Sequence, residues 1–377
     1  MSWHLECGAC GKKAVKPLAT VCPDCEKPLL ARYNLKELNL EHLQETWAKR
    51  PPGMWRYREL MPLENDEAPV TLGEGGTPLL EVDLEGDLSN LRIMVKDEGQ
   101  NPTGSFKDRG LCAAVTRAVR DGALDFVVPT AGNAGASLAA YAARAGVSAQ
   151  LFMPTDTPEG VARRCQHYGA TIDRVDGLID ECGRLSAEYS ATTGAFNVST
   201  LKEPYRIEGK KTMMLEIIEA LKWRAPDAIV YPTGGGTGLI GSAKTLEELS
   251  TLGLRGMNTR LYAVQGNGCA PIVRAFASGT EHAEKWTDAE TEAFGLRVPG
   301  ALGDFLMLRA LRESGGGAIS VTDEEMKAGA RTLGEVGVGA SIEGGATLAG
   351  ALELRRRGEL SEGETVILFN TAHLLTY

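Results

Sequence analysis

Short apolar runs alternate with longer amphipathic stretches along most of the chain. The runs predict buried strands, and the apolar periodicity of the stretches between them predicts helices. The predicted strands are "LRIMVKDE", "DFVVPT", "AQLFMP", "TIDRVD", "AFNVS", "AIVYP", "RLYAVQG" and "ETVILFNT". Two of the helices end at glycines, Gly122 and Gly146. This βαβα rhythm indicates an α/β fold with mainly parallel sheets covered by helices.

The first 70 residues do not follow that rhythm. The segment from about Asn34 to Leu63 is polar and is predicted to be helical, so that it forms an arm between the N-terminus and the main body.

Composition narrows the classes of function. The chain has 377 residues, 43% of them hydrophobic, which is enough for one large or two medium domains. Its net charge of −10 argues against a nucleic-acid partner or an anionic membrane surface. No apolar run has transmembrane length and the N-terminus lacks a signal-peptide core, so we expect a cytoplasmic protein.

Four of the eight cysteines share a short N-terminal segment. Cys7, Cys10, Cys22 and Cys25 follow the spacing C-x2-C-x11-C-x2-C, in which each pair can turn around one metal ion. We expect a structural Zn²⁺ site, because four protein ligands leave no open position; the alternative is four unrelated thiols. The remaining cysteines are expected to be core thiols: Cys112, Cys165, Cys182 and Cys269.

Three turns follow predicted strands and open predicted helices. They are "TGSFKDRG", which contains Lys107, then Pro129–Ser137, then "YPTGGGTGLIG" from Tyr231 to Gly241. In the third turn, backbone N–H groups free of side chains can converge on a phosphate at a helix N-terminus. The pattern G-x-G-x-x-G also fits a dinucleotide site, but no acidic residue ends the next strand, and a Walker loop would need G-K-[ST]. A phosphate cup fits better than either, and a merely tight turn is the remaining alternative.

A phosphate cup and a lone lysine at strand ends together indicate pyridoxal phosphate, which needs a Schiff-base lysine and groups that tune its ring. Lys107 is the candidate lysine, against the alternative of a solvated loop residue. Asn133 is either a donor to the ring oxygen or a helix N-cap.

Six ordered motifs over nearly the whole chain resemble the threonine synthase family of pyridoxal-phosphate enzymes, which has the tryptophan-synthase-β-like fold. The motifs are "NPTGSFKDRG", "AGNAGASLAAYAARAG", "FNVSTLKEPYRIEGKKT", "YPTGGGTGLIG", "GLRVP" and "VILFNT". The resemblance implies two parallel-sheet α/β domains and a homodimer. We expect a zinc-ribbon-like module at 1–33, a helical arm at 34–70 and a catalytic body at 71–377, with a smaller subdomain at about 112–200.

The resemblance also implies roles for single residues. Lys107 would bind the cofactor covalently and move protons, Asn133 would contact the ring oxygen and Thr371 would face the ring nitrogen. The cofactor phosphate would be held by Gly234, Gly235, Gly236, Thr237 and Gly238. The substrate's own phosphate would be bound by Ser199, Thr200 and Arg206.

The implied reaction converts O-phospho-L-homoserine and water into L-threonine and phosphate. Two alternatives stay open. One is a relative with the same cofactor and another amino-acid substrate, such as a Ser/Thr dehydratase or a β/γ-replacement enzyme. The other is a zinc-module binding protein that has lost activity.

Some residues depart from the family pattern. Gly76 stands where the family usually has Trp, and in the C-terminal "TAHLLTY" Ala372 and Leu374 replace glycines and Thr376 replaces a lysine. We expect these changes to lie around the ring and substrate positions. We also expect alanine and leucine to resist the backbone torsions that glycines allow there.

Overall fold

A computed structural model describes residues 2–14, 17–64 and 67–376. Its strands are β1 Trp3–Cys7, β2 Lys13–Ala14, β3 Leu29–Tyr33, β4 Leu79–Glu81, β5 Arg92–Asp97, β6 Asp125–Pro129, β7 Ser148–Pro154, β8 Thr171–Val175, β9 Phe196–Asn197, β10 Ala228–Pro232, β11 Arg260–Gly266, β12 Gly317–Val321 and β13 Thr365–Asn370. Its α-helices are α1 Leu40–Lys49, α2 Lys107–Arg120, α3 Asn133–Ala145, α4 Glu159–His167, α5 Ile179–Thr193, α6 Tyr205–Ala220, α7 Thr237–Thr251, α8 Pro271–Ala277, α9 Asp304–Glu313, α10 Asp323–Glu335 and α11 Ile342–Arg356.

Three sheets organise these elements. A small antiparallel sheet has the order β2-β1-β3 and carries the cysteine segment. A six-stranded sheet has the order β12-β11-β10-β13-β5-β4 and is parallel except for β4. A four-stranded parallel sheet has the order β8-β7-β6-β9. The predicted α/β class with parallel sheets is therefore confirmed.

The eight predicted strands are all present, although β9 is shorter than its motif. The sequence pattern does not predict strands β1 to β4 and β12. The four-stranded sheet covers residues 125–197, inside the range expected for the smaller subdomain. The proposed division at residues 33 and 70 stays a prediction.

The predicted helix from Asn34 to Leu63 is wrong in its middle. Helix α1 ends at Lys49, and Arg50 is extended with ψ 153°, because the residue before a proline is pushed out of the helical region. A separate 3₁₀ segment, Met54–Leu60, follows Pro51, Pro52 and Gly53.

Buried apolar side chains fill the space between the sheets and their covering helices. The strands of the six-stranded sheet contribute side chains to cores on both faces, as a sheet covered by helices requires. No helix in the described ranges is long and apolar enough to cross a membrane.

Helix α6 begins four residues earlier than its motif "GKKTMMLEIIEALKW" indicates. The carboxylate of Glu203 accepts hydrogen bonds from the backbone N–H groups of Tyr205 and Arg206, which stabilises the first turn. Arg206 consequently lies in that first turn and not in a preceding loop.

Candidate active site

The three predicted turns converge on one cleft. Each follows the carboxyl end of a parallel strand, β5, β6 or β10, where open α/β sheets bind their ligands. The cleft encloses about 530 Å³, part of it open to solvent. Its lining comprises Phe106, Lys107, Asn133, Thr200, Arg206, Tyr231, Pro232, Gly234, Gly235, Gly236, Thr237, Gly238, Gly295, Leu296, Glu343, Thr371 and Ala372.

Every residue predicted to contact the cofactor lines this cleft, and so do two of the three predicted for the substrate. The exception is Ser199. Its backbone N–H and its hydroxyl both bond to the side-chain oxygen of Asn197, so it supports the wall behind Thr200.

The glycine turn between β10 and α7 leaves no room for side chains. A Cβ on Gly235 would lie 2.8 Å from Cγ2 of Thr200, and one on Gly238 would lie 1.9 Å from the hydroxyl oxygen of Tyr231. Gly236 has φ +77° and is the N-cap residue of α7, whose first turn has no side-chain cap. The bare N–H groups at this helix N-terminus form a cradle that suits a phosphate.

Lys107 is the first residue of α2 and is half-buried. Its Nζ lies 3.9 Å from the centroid of the Phe106 ring. Burial lowers the pKa of Lys107 to about 7; the Arg206 guanidinium adds to this effect and the Glu343 carboxylate opposes it. A large neutral fraction near pH 7 equips the amine for nucleophilic attack and for proton transfer.

Arg206 has the chemistry of an anion-binding residue. Its side chain is 2% exposed, and one guanidinium nitrogen donates to the Val198 carbonyl at 2.7 Å. Its buried Nε has no hydrogen-bond partner in the described ranges. Unpaired buried donors are costly, and Arg206 lines the cleft, so an anion bound beside it would supply the missing acceptor. Burial lowers the pKa of Arg206, and Glu203 opposes that effect.

Asn133 is the first residue of α3 and is 4% exposed. The N-cap position belongs to Gly132, and the helix has no side-chain cap, so the alternative interpretation of Asn133 as an N-cap is wrong. Thr371 follows β13; its carbonyl accepts the Phe106 N–H at 2.9 Å and fixes the loop that carries Lys107.

Sequence reasoning missed a carboxylate at the cleft. Glu343, in the first turn of α11, accepts the Gly295 N–H at 2.9 Å through Oε1, while its buried Oε2 has no partner among the described residues. The N-cap Ser341 with Glu343 in the next turn is a sequence signal for a helix start, although not for its place at the cleft.

A second lysine near the cleft was missed as well. Lys210 of α6 donates to the Phe106 carbonyl, and burial together with Lys107 and Arg206 lowers its pKa strongly. It lies in the predicted motif "GKKTMMLEIIEALKW", but the motif gives no signal that separates it from its neighbour Lys211.

The departures from the family pattern have different positions. Gly76 is exposed, has φ +62° and does not line the cleft, so the expectation that it lies near the ring is wrong. Ala372 does line the cleft. In the described ranges, neither Ala372 nor Leu374 has a positive φ, and the expected strain at these two residues is therefore absent. Tyr377, the last letter of "TAHLLTY", lies outside the described residues.

The four N-terminal cysteines cluster around one point. Their Sγ atoms all lie within 4.8 Å of one another, with Cys7 to Cys25 at 3.5 Å and Cys10 to Cys22 at 3.7 Å. Four thiolates about 2.3 Å from a tetrahedral Zn²⁺ would be separated by about 3.8 Å, so the arrangement fits such an ion. The other four cysteines are buried.

Comparisons with known proteins agree with this geometry. The model of the family "Pyridoxal-phosphate dependent enzyme" matches residues 70–372. A threonine synthase from Methanosarcina acetivorans is 33% identical over 99% of this chain and 92% of its own length. A second, from Methanocaldococcus jannaschii, is 31% identical over 97% and 91%.

Solved structures support the fold. Maize serine racemase superposes with a TM-score of 0.69 at 22% identity, covering 79% of this chain and 88% of its own. The processed form of threonine deaminase isoform 2 from Solanum lycopersicum has a TM-score of 0.67 at 21% identity, covering 79% and 83%. The chain therefore belongs to the pyridoxal-phosphate-dependent enzyme family, and the relatives of one-third identity named above are threonine synthases.

Proposed function

We propose that the chain converts O-phospho-L-homoserine and water into L-threonine and inorganic phosphate. The observation that carries the proposal is the joint placement of Lys107, the glycine cradle and Arg206 in one cleft, in a chain 33% identical to a threonine synthase over nearly its whole length. The cradle and the Arg206 guanidinium, whose Nε has no partner in the described ranges, supply two groups that bind anions, one for a cofactor phosphate and one for a substrate phosphate.

The residues present fit pyridoxal phosphate. Lys107 would hold it covalently, the turn from Gly234 to Gly238 would hold its phosphate, and Asn133 and Thr371 would face the ring oxygen and ring nitrogen. Gly235, Gly236 and Gly238 support this fit: a Cβ at these positions would clash with Thr200, Met307 and Tyr231, so the turn needs glycines, whose backbone N–H groups stay bare. When bound, this cofactor supplies an electron sink that stabilises negative charge on the carbon next to the amino group.

Lys107 would carry protons in the proposed reaction. A pKa near 7 lets the amine accept a proton from one substrate carbon and return it to another at neutral pH. The charges around it differ in sign: Arg206 disfavours the ammonium form and Glu343 favours it. Burial has the largest effect on the pKa of Lys107, and these two charges adjust it in opposite directions.

Arg206 and Thr200 would bind the substrate's phosphate, with Ser199 behind them. A guanidinium that already donates one hydrogen bond to Val198 is held rigidly, so its remaining donors are preorganised for the leaving group. Preorganised positive charge favours departure of a dianionic phosphate.

The direct test measures phosphate release and L-threonine formation in one tube. We expect equal amounts of both from O-phospho-L-homoserine with the purified, cofactor-loaded protein. L-serine and L-threonine, offered as substrates in parallel, test the dehydratase alternative through the 2-oxo acids they would yield. The proposal would be overturned if the protein formed 2-oxo acids from L-serine or L-threonine and made no L-threonine from O-phospho-L-homoserine. Lys107→Ala serves as the inactive control.

We propose that Cys7, Cys10, Cys22 and Cys25 bind one structural Zn²⁺. The clustering of four sulfur atoms from two tight turns supports this. Metal analysis should give one zinc per chain, and Cys10→Ser should reduce it while Cys182→Ser, outside the cluster, should not. Zinc retained in Cys10→Ser at full stoichiometry would contradict the assignment.

We also propose a cytoplasmic homodimer acting on a small amino-acid substrate; the dimer rests on the family resemblance. Light scattering tests it: the expected mass is twice the 40.2 kDa of the chain. A mass equal to one chain at micromolar concentration would refute it.

A further inference from the structure

The C-terminal segment Ala372–Thr376 begins at the candidate active site, whose lining includes Ala372. The N–H of His373 donates to the Gly104 carbonyl at 2.9 Å, in the loop that carries Lys107. The N–H of Leu374 donates to the Gly339 carbonyl at 3.0 Å on the opposite side. The segment is thus held between the lysine loop and the approach to α11.

Glycines make room for this segment. A Cβ on Gly104 would lie 2.7 Å from Cγ2 of Thr376, and one on Gly339 would lie 2.8 Å from Nε2 of His373. Gly104 also has φ +82°, which favours glycine independently of the space. Thr376 is 5% exposed as a result. The segment is therefore packed closely against the loops that contain Gly104 and Gly339.

Arg164 of α4 connects this segment to the rest of the site. Its Nη1 donates to the Thr376 carbonyl at 2.7 Å, and its Nη2 donates to the Thr103 carbonyl at 2.5 Å. The same Nη1 lies 3.3 Å from Oδ1 of Asn133. One guanidinium therefore contacts the tail, the lysine loop and the residue that would face the cofactor ring.

The contact with Arg164 fixes the orientation of the Asn133 amide, that is, the directions of its Oδ1 and Nδ2 atoms. A guanidinium has only donors, so the atom of Asn133 that meets it must be the acceptor, Oδ1. The donor Nδ2 must then point away from Arg164. One of its two hydrogens meets Oγ1 of Thr376, with the heavy atoms 3.3 Å apart, and the other is left for an acceptor in the cleft that Asn133 lines. The Thr376 hydroxyl donates in turn to the His373 carbonyl at 2.8 Å, which leaves its oxygen lone pairs for Asn133.

We propose that Arg164 is a positioning residue that fixes the C-terminal segment and orients the Asn133 amide, so that its N–H₂ end is the one presented to an acceptor in the cleft. The inference deepens the proposed function and rests on its assignment of Asn133 to the ring oxygen. An anionic ring oxygen needs a donor, and a flipped amide would present a repelling carbonyl oxygen. Arg164 acts through Asn133 and does not itself line the cleft.

The test is a double-mutant cycle read by cofactor binding and not by turnover. Arg164→Met and Asn133→Ala are made singly and together, and the dissociation constant of pyridoxal phosphate and its visible absorption band are measured for each. Arg163→Met is the matched control, since Arg163 is exposed and precedes Arg164 on the same helix. Thermal melts report whether each variant folds.

We expect Arg164→Met to weaken cofactor binding by about 10-fold and to shift the absorption band in the same direction as Asn133→Ala. In the Asn133→Ala background, Arg164→Met should add little, while Arg163→Met should change nothing. Arg164→Lys, which keeps a positive charge but has a single donor nitrogen, should recover part of the loss. Hydrogen exchange at residues 372–376 should rise in Arg164→Met.

Additive effects of Arg164→Met and Asn133→Ala, or an unchanged absorption band in Arg164→Met, would overturn the inference. If Arg164→Met does not fold, Thr376→Val tests the same connection by removing the hydroxyl that Asn133 contacts. Failure of the proposed function can be distinguished from failure of this inference. If the parent protein binds the cofactor but makes no threonine, the proposed substrate is wrong, yet the coupling between Arg164 and Asn133 can still be measured.

Discussion

Two opposite charges act on the side chain of the reactive lysine. Glu343→Gln removes the charge that favours the protonated form of Lys107, yet it keeps an oxygen for the Gly295 N–H. Covalent capture of added pyridoxal phosphate by the apoprotein needs the neutral amine, so its rate should rise with pH through about 7 in the parent. In Glu343→Gln the midpoint should move to lower pH. A stopped-flow absorbance series across neutral pH measures this, and a midpoint that stays or rises would refute the assignment.

Arg206 should discriminate between the two phosphates. Arg206→Met removes the guanidinium of a cleft-lining residue, together with its unpaired donor. We expect KM for O-phospho-L-homoserine to rise by about 10- to 100-fold, which corresponds to the loss of a hydrogen bond to a charged group. The dissociation constant of the cofactor should change far less. The control is Arg224→Met, an exposed arginine. Equal loss of cofactor and substrate binding would mean that Arg206 supports the cleft as a whole.

The site residues that sequence reasoning found lie in short motifs, because the turn chemistry around Lys107 is local. Glu343 and Arg164 were missed for a physical reason. Each comes from a helix distant in sequence, and only tertiary packing brings Glu343 to the cleft and Arg164 to Asn133. Ser199 was assigned to the substrate from its motif, but the motif does not show that its hydroxyl donates to Asn197, two residues earlier.

Among the helices and strands, α6 connects the cysteine module to the cleft. The hydroxyl of Tyr33, in β3, donates to Glu208 of α6 at 2.7 Å. Glu208 also pairs with Lys211 at 2.9 Å, and Lys211 pairs with Glu248 of α7 at 2.6 Å. All three charged groups are buried, so the cluster depends on every partner being present.

Removal of the metal should therefore be felt beyond the module. We expect a chelator to lower Tm and to increase hydrogen exchange in β1 and β3, because thiolates without a cation repel one another. Exchange should also increase in α6, which β3 contacts through Tyr33 and Glu208. Tyr33→Phe leaves Glu208 without one donor and should lower the free energy of unfolding by about 1–3 kcal/mol. Calorimetry measures the Tm of the chelator-treated protein and the free energy of unfolding of Tyr33→Phe. Tyr168→Phe, a change at an exposed tyrosine, is the control for the mutant. A chelator-treated protein with unchanged Tm would contradict the structural role of zinc.

Apolar periodicity predicts which segments are helices or strands, but it does not predict the end of α1 or the start of α6. The arm was predicted as one helix because its polar sequence looked continuous, yet Pro51 excludes helical torsions at Arg50. Helix α6 starts early because Glu203 satisfies its first N–H groups, which the apolar pattern does not show.

At the scale of the whole molecule, a buried ionic network joins three elements: the six-stranded sheet, the first turn of α2 that contains Lys107, and α6. Arg109, two residues after Lys107, bonds to Glu98 and to Glu216, each at 2.7 Å. Lys96 of β5 reaches the same Glu216 at 2.7 Å. Burial opposes ionisation of Glu216, but Arg109 and Lys96 outweigh it and lower its pKa to about 2.

This network predicts acid sensitivity. Because the pKa of Glu216 is lower in the folded state than its ordinary 4.5, its contribution to stability is full above about pH 4.5 and is lost as pH falls toward 2. Urea unfolding between these pH values should show that loss, and Glu216→Gln should be less stable at neutral pH and lose less on acidification. An equal acid slope in both proteins would contradict the assignment.

The proposed reaction cleaves the bond between Cγ and the phosphate oxygen and adds water at Cβ, and oxygen labelling tests both steps at once. The reaction is run in ¹⁸O-water, and both products are weighed by mass spectrometry. We expect one ¹⁸O in the L-threonine and none in the phosphate. Labelled phosphate together with homoserine would show hydrolysis at phosphorus, and would contradict the proposed function.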